Sequence, residues 1–263
     1  MVTSRARRVP PRRTAEAVAG RLRDRILAAD DAYELPTQDQ LVEEFGVSYP
    51  SVREALRILE TEGLVTVRRG NVGGAEVHRP DEASAAYHLG LALQGGRVTL
   101  GDLAAGLQLL EPLCAAECAR RADRAETVVP ALRANIEATT ELAGAAFTHT
   151  ARAFHDLLVA FTPNATVRCV VGSLTTLWTA QEEAWAETLA PRGEYPSDTG
   201  AVVATHGRLV DEIASGRADE AARVARAHLA ATQALFLDRF GNGFVDATSA
   251  RARALSPSLG WRV

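Results

Sequence analysis

The sequence confines its strand signals to one short segment, and this feature most constrains the fold. Residues 64–67 and 75–78 have the composition of short strands, and the loop between them, residues 68–74, is rich in glycine. From residue 14 to about residue 238, apolar residues outside this segment recur at intervals of three and four, which is the spacing of one helix face. The sequence therefore predicts a mainly α protein with a single β-hairpin.

Three helices are predicted before this hairpin. They begin at Thr14, after Thr37 and at Ser48, and the last two end at Gly46 and Gly63. Three helices followed by a two-stranded wing form a winged helix-turn-helix, which places its third helix in the major groove of DNA. The first 80 residues therefore predict a DNA-binding domain.

The rest of the chain is predicted to be an all-α helical bundle. Helices are expected at about residues 82–94, 99–122, 125–142, 146–161, 165–190, 199–215 and 217–238. The predicted organisation is a disordered basic arm (1–13), the winged helix-turn-helix (14–80), a linker helix (81–97), an effector-binding and dimerisation domain (98–238) and a loosely ordered tail (239–263).

Charge placement favours a nucleic-acid partner although the net charge is −4. Arginines cluster before the first helix, at Arg5, Arg7, Arg8, Arg12 and Arg13. This arm is either a solvated tail or a segment that follows DNA phosphates or enters the minor groove. No apolar run is long enough to span a bilayer or resembles a secretory signal, which predicts a cytoplasmic protein without a membrane partner.

The third helix carries the residues expected to read DNA. Tyr49, Arg53 and Arg57 recur at intervals of four and share an exposed face. An arginine can bind guanine O6 and N7 with two hydrogen bonds, and Ser51 near the helix start can hold a phosphate. A solvated charged face is the alternative for the two arginines.

The ordered residues around this helix resemble the GntR family of bacterial regulators. The resemblance is carried by Leu35–Leu41, Phe45–Ser48, Val52–Leu56, Glu62–Val65 and the wing residues Arg68, Arg69 and Gly70. It implies that Arg53 contacts the operator and that Gly70 and its neighbours approach the minor groove. Asp39 and Tyr49 stand where FadR-like members usually have arginine, so the operator is expected to differ. Asp39 either accepts a hydrogen bond from a cytosine amino group or stays clear of DNA.

Three histidines of the helical domain lie on apolar helix faces: His155, His206 and His228. Inward imidazoles need partners, which a metal or an anionic ligand can supply, although a satisfied core histidine is the common alternative. The surrounding residues, such as Phe154–Leu158 and Gly216–Ala222, resemble the FCD effector domain of FadR-like regulators. That resemblance implies a divalent metal such as zinc, held by these histidines and an aspartate, that helps to bind a small carboxylate.

Two departures from the FCD pattern affect this expectation. Ala151 stands at the position of the aspartate ligand, so three imidazoles alone would hold the metal, and metal-bound and metal-free sites both stay open. Leu107 stands where members often have arginine, so we expect Leu107 to line a ligand site that has lost its carboxylate clamp. The expected ligand is therefore an organic acid or a more apolar acyl or aromatic compound.

These observations predict a homodimeric transcriptional regulator, a repressor, that binds a pseudo-palindromic operator in double-stranded DNA under control of a small-molecule effector. Two alternatives stay open. One is an architectural DNA-binding protein without an effector, which would have a fully packed helical core. The other is a zinc-dependent hydrolase, for which the sequence offers no general base, because Asp156 adjoins His155 and points elsewhere on a helix.

Overall fold

The computed structural model describes residues 11–30, 33–67, 75–78, 82–189 and 199–248. These residues contain ten helices and one two-stranded sheet, in two compact units divided between Asp81 and Glu82. The predicted fold class, a winged helix-turn-helix followed by an all-helical domain, is confirmed. Within the described ranges, no helix combines the length and the apolar character that crossing a bilayer requires.

The first unit consists of three helices and a hairpin: α1 (Pro11–Ala28), α2 (Gln38–Phe45), α3 (Tyr49–Thr61), β1 (Val65–Val67) and β2 (Ala75–Val77). Helix α1 begins before the predicted start at Thr14, so residues 11–13 are helical rather than part of a disordered arm. Pro11 suits the first helical position because its missing N–H would have no partner there. The arginines Arg5, Arg7 and Arg8 lie outside the described residues.

One hydrophobic core holds the three helices of this unit together. Its buried side chains include Leu22, Ile26, Leu41, Leu56 and Leu59, and burying each contributes about 1.5–3 kcal/mol. Helix α3 therefore presents a fixed outer face, because its apolar side is packed against α1 and α2.

Capping residues set the ends of α2. The Thr37 hydroxyl accepts the Gln40 backbone N–H, and the Gln40 side chain accepts the Thr37 backbone N–H in return. Gly46 ends the helix with φ of 60°, a left-handed conformation that glycine adopts without a steric penalty. These caps define the turn between α2 and α3.

The hairpin is antiparallel, with Val65 opposite Val77 and Val67 opposite Ala75. Val65 is buried against the helices, so the strands are anchored to the core of the first unit. Residues 68–74 of the wing loop, including Arg68, Arg69 and Gly70, lie outside the described residues.

The second unit contains seven helices at nearly the predicted positions. They are α4 (Glu82–Gly95), α5 (Leu100–Arg120), α6 (Val128–Thr140), α7 (Gly144–Ala160), α8 (Ala165–Leu189), α9 (Thr199–Ala214) and α10 (Ala218–Phe240). Helix α10 packs along α5, while α6, α7 and α9 close the main core around Phe154, Leu158, Leu209 and Ile213. This packing fixes α7, α9 and α10 relative to one another.

The packing bears on two of the predicted boundaries. Helix α4, within the predicted linker helix (81–97), packs so closely on α8 that a Cβ at Gly90 would lie 2.9 Å from Leu177. The tail is not loose up to residue 248, because Val245 and Ala247 are buried and the Val245 N–H donates to the Val98 carbonyl at 3.0 Å. Residues 249–263 lie outside the described residues.

Candidate DNA interface and ligand cavity

The exposed face of α3 carries the predicted reading residues. Val52, Ala55 and Leu59 are buried on its inner side, whereas Tyr49 is 46% exposed and Arg53 is also exposed. This division follows from the helical spacing, since the apolar and polar positions fall on different sides of a helix. A phenol and a guanidinium therefore project from the recognition helix toward solvent.

Arg57 and Ser51 differ from Tyr49 and Arg53 in their side-chain contacts. Arg57 is exposed but lies 3.6 Å from Glu54, which partly offsets its charge. Ser51 is only 7% exposed, and its hydroxyl hydrogen-bonds the Ser48 hydroxyl at 3.1 Å. The Ser51 hydroxyl therefore already has a side-chain partner, and its contact with a phosphate stays a prediction.

The Tyr49 hydroxyl donates a hydrogen bond to Asp39 Oδ1 at 3.0 Å. Asp39 lies in the first turn of α2, so this contact joins the two helices of the helix-turn-helix. The hydrogen bond raises the pKa of the Tyr49 hydroxyl. The two departures from the family pattern are thus in direct contact with each other.

Three helices of the second unit bring His155, His206 and His228 together. Their nitrogen ligand atoms lie within 4.8 Å of one another, and Nε2 of His206 is 3.0 Å from Nε2 of His228. All three side chains are buried, and the His206 ring stacks on Phe154 with ring centroids 3.9 Å apart. The sequence predicted that these histidines face inward, and the structure also makes them converge.

Burial keeps two of these imidazoles neutral. It lowers the pKa of His228 to about 3, with further lowering from the neighbouring charges of His155, Arg152 and Arg208. The pKa of His206 is also well below its ordinary value, chiefly because of burial. Neutral imidazoles have a free ring-nitrogen lone pair, which is the form that binds a metal.

Glu111 of α5 holds the third histidine in place. Nδ1 of His155 donates to Glu111 Oε1 at 2.5 Å, and both side chains are buried. A carboxylate that binds one ring nitrogen fixes the orientation of the imidazole and leaves Nε2 available to a metal. Three convergent nitrogens with such support fit a zinc-type ion, and the small side chain of Ala151 leaves the fourth position to water or ligand.

A cavity of ≈ 340 Å³ opens beside the histidines. Its lining comes from α7, α9 and α10 and includes Phe147, Thr148, Ala151, Arg152, His155, Ala201, Val202, Thr205, His206, Arg208, Arg223, Val224, Ala227, His228, Ala231, Thr232, Leu235 and Phe236. This volume lies within the range of small-molecule sites, about 300–1,000 Å³. The mixture of apolar walls with imidazole and guanidinium groups suits an organic ligand with an anionic group.

Leu107 does not line this cavity. It is buried in a separate core cluster with Leu103, Leu177 and Trp178. Leu107 therefore does not contribute to this cavity, because its face of α5 packs against other helices, and its contact with a ligand stays a prediction.

Sequence reasoning missed the arginines of the cavity wall. Arg152 follows Ala151 directly and pairs with Glu182, whose side chain is 1% exposed. Burial raises the pKa of the Glu182 carboxyl, and the charge of Arg152 opposes that shift.

Arg208 donates to the Thr205 hydroxyl at 3.1 Å, and among the described residues it pairs with no carboxylate. Within the described ranges, the cavity thus keeps a guanidinium group that is not paired with a carboxylate.

Comparison with protein families divides the chain in the same way as the fold. Residues 14–73 match the family described as "Bacterial regulatory proteins, gntR family", and residues 102–231 match the FCD domain. The first match contains α3 with Arg53, and the second contains the three histidines. No curated protein sequence matches this chain.

Solved structures give a fold-level comparison. "Streptococcus agalactiae GntR" is 20% identical, with a TM-score of 0.63 over 84% of this chain and 99% of that chain. A GntR-family transcriptional regulator from Pseudomonas syringae pv. tomato is 22% identical, covering 93% of this chain and 90% of its own with a TM-score of 0.32. At these identities, the first structure supports the two-domain fold and no finer property.

Proposed function

We propose that this chain, whose residues 14–73 match the GntR family and whose residues 102–231 match the FCD domain, is a homodimeric repressor whose operator affinity is controlled by an organic anion. The observation that carries this proposal is the ligand-sized cavity beside three buried histidines in the second unit. The recognition helix of the first unit supplies the DNA contact.

Arg53 carries the sequence discrimination in this proposal. Its guanidinium is exposed one turn after Tyr49, where the recognition helix of such a domain enters the major groove. A bidentate contact to guanine is worth about 1–3 kcal/mol of discrimination against another base. Two copies of α3 in a homodimer would read two half-sites of an inverted repeat.

Capture of genomic fragments by the purified protein, followed by sequencing, tests the operator. We expect the recovered fragments to share an inverted repeat, and Arg53→Ala to abolish their enrichment. Arg226→Ala is the matched control, because it removes the same charge from an exposed site in the helical unit. Fragments without a common sequence, or equal enrichment by Arg53→Ala, would contradict the proposal.

The ligand group we expect in the cavity is an anion, such as a carboxylate. Arg208 offers a positive charge at the wall that pairs with no carboxylate in the part of the chain that the structure describes, and a guanidinium can hold a carboxylate with two parallel hydrogen bonds. Val202, Leu235 and Phe236 provide apolar surface for the rest of the molecule. The ligand class is therefore a small organic acid whose body is at least partly apolar.

A divalent metal at the histidines would add to this recognition. His155, His206 and His228 would hold the ion, and the ion would supply a positive centre to which the anionic group of the ligand binds. Glu111 keeps His155 oriented, and burial keeps His206 and His228 unprotonated. Zinc titration of chelator-treated protein should raise the melting temperature, and His206→Gln should remove most of that rise.

A thermal-shift panel of monocarboxylic, dicarboxylic and aromatic acids tests the ligand class. We expect at least one class to stabilise the protein and Arg208→Gln to reduce that stabilisation, whereas Arg226→Gln should leave it unchanged. Stabilisation by neutral analogues alone, or an equal response of Arg208→Gln, would contradict an anionic ligand.

The cavity also separates this proposal from its alternatives. An architectural protein without an effector would have no use for a ligand-sized space lined by imidazole and guanidinium groups. The lining that the structure describes contains no Asp or Glu, and Glu111 and Glu182 are each bound to a neighbouring side chain. A hydrolase would therefore lack a carboxylate base among these residues, which favours binding over turnover.

A further inference from the structure

The contact between Tyr49 and Asp39 changes what the recognition helix can read. The Tyr49 hydroxyl uses its only hydrogen to donate to Asp39 Oδ1, at 3.0 Å. The tyrosine oxygen then presents only lone pairs, and Asp39 Oδ2 presents lone pairs as well. At the start of α3, the pair forms a surface that accepts hydrogen bonds and donates none.

This contact is not required to hold the two helices together. Leu41 of α2 is fully buried in the core with Val52 and Leu56 of α3, and this burial supplies the packing between the helices. Tyr49 and Asp39 are both exposed, where a hydrogen bond contributes little to stability because water competes for both partners. An exposed pair at the N-terminal end of a recognition helix is instead placed to meet base edges.

Base edges in the major groove differ in their donors and acceptors. Guanine offers two acceptors and thymine one, so both meet an acceptor-only surface unfavourably. Adenine offers an amino donor next to the N7 acceptor, whereas cytosine offers its N4 amino donor alone. Cytosine is therefore the base whose edge best matches the pair.

We propose that Tyr49 and Asp39 act as one unit that reads the N4 amino group of a cytosine in each operator half-site. This inference rests on the proposed operator binding and assigns it a second specificity determinant beside Arg53. Arg53 lies one helical turn further along α3, so the cytosine and the guanine read by Arg53 lie within a few base pairs of each other.

The carboxylate lowers affinity while it adds selectivity. Asp39 carries a negative charge toward a polyanion, so it weakens binding to every sequence. Asp39 offsets this loss of affinity only where a cytosine amino group donates a hydrogen bond to its carboxylate. Removing the charge should therefore strengthen binding to unrelated DNA while it erases the cytosine preference.

The test selects bound sequences from a randomised duplex library with the full-length protein and then measures affinities for single-base variants of the selected site. For the wild type, we expect replacement of the cytosine to weaken binding about tenfold, within the range of a good base contact. Asp39→Asn should shift the preference at that position from cytosine to adenine, because an amide pairs with adenine N6 and N7. Tyr49→Phe should reduce the cytosine preference without creating another.

Glu43→Gln is the matched control, because Glu43 is an exposed acid of the same helix, whereas the Tyr49 hydroxyl donates to Asp39. It should raise affinity for all sequences, as Asp39→Asn does, and leave the base preference unchanged. Thermal melts of all variants should coincide with that of the wild type.

The outcomes separate this inference from the proposed function. If the wild type selects a site that requires Arg53 but Asp39→Asn keeps the same preference at every position, the Tyr49 and Asp39 reading unit is refuted and operator binding stands. If the wild type selects no sequence, operator binding itself fails, and this inference fails with it.

Discussion

The buried histidines predict a steep loss of stability on mild acidification of chelator-treated protein. In the folded chain, the pKa of His228 is about 3 and that of His206 is well below 6.5, whereas the unfolded chain has ordinary values near 6.5. The unfolded state therefore takes up protons first. The stability that the neutral imidazoles contribute is present above pH 6.5 and is lost as the pH falls from there toward 3.

The size of this loss follows from proton linkage. A histidine whose folded pKa is about 3 costs about 1.36 kcal/mol per pH unit below 6.5, so His228 accounts for a loss of about 2 kcal/mol between pH 7 and pH 5. His206 adds to this loss in the same direction. Carboxylates also contribute to the dependence of the free energy of unfolding on pH. The informative quantity is therefore the difference in this dependence between the wild type and a variant without His206 and His228.

Urea unfolding at pH 7, 6 and 5 measures this difference, with tryptophan fluorescence reporting the helical unit through Trp178 and Trp185. The double variant His206→Gln and His228→Gln should lose about 2 kcal/mol less than the wild type between pH 7 and pH 5 from His228 alone, and His206 should widen this difference. His149→Gln, at an exposed site, is the control and should keep the wild-type slope. Equal slopes in the wild type and the double variant would refute the assignment of two neutral buried imidazoles.

Two further predictions concern stability. Arg152→Met should cost about 3–5 kcal/mol at pH 7, because it leaves Glu182 buried without its partner, and adding Glu182→Gln should restore part of that loss in a denaturant series. A cost below about 1 kcal/mol would show that the ion pair is not needed. Thr37→Ala should cost about 1 kcal/mol by removing the cap of α2, seen as a lower melting temperature, and an unchanged melting curve would contradict the cap.

The helices and the wing could be predicted because they depend on local patterns. Apolar spacing located every helix of the second unit, and Thr37 and Gly46 marked the ends of α2 through their side-chain and backbone chemistry. The burial of Val245 and Ala247 in the predicted tail was not anticipated, because their packing depends on residues that are distant in sequence. Local patterns do not carry that information.

The candidate site could be predicted only in part. The inward positions of His155, His206 and His228 follow from their apolar faces, but their convergence depends on how α7, α9 and α10 pack. Leu107 was assigned to the ligand site by family position, although its helix face meets other helices. The role of Arg152 was hidden because its buried partner is thirty positions away, in α8.

The burial of Ser51 could not be predicted from its position near the start of α3. Its hydroxyl contacts the Ser48 hydroxyl, and Ser48 makes no side-chain cap to the backbone of α3. A contact between two hydroxyl residues three positions apart competes with the bonds that either could make to other groups. This competition is local, and the Ser48 and Ser51 spacing was its only sequence signal.

The most direct test of the central claim is the operator affinity measured with and without a cavity ligand. Fluorescence anisotropy with the selected operator, in the presence of a saturating organic acid identified by thermal shift, should show a change in Kd of about 5- to 150-fold for the wild type. Arg208→Gln should bind the operator normally and show little change at the same acid concentration. An unchanged Kd in wild-type protein whose cavity is saturated would contradict control of operator binding by this cavity.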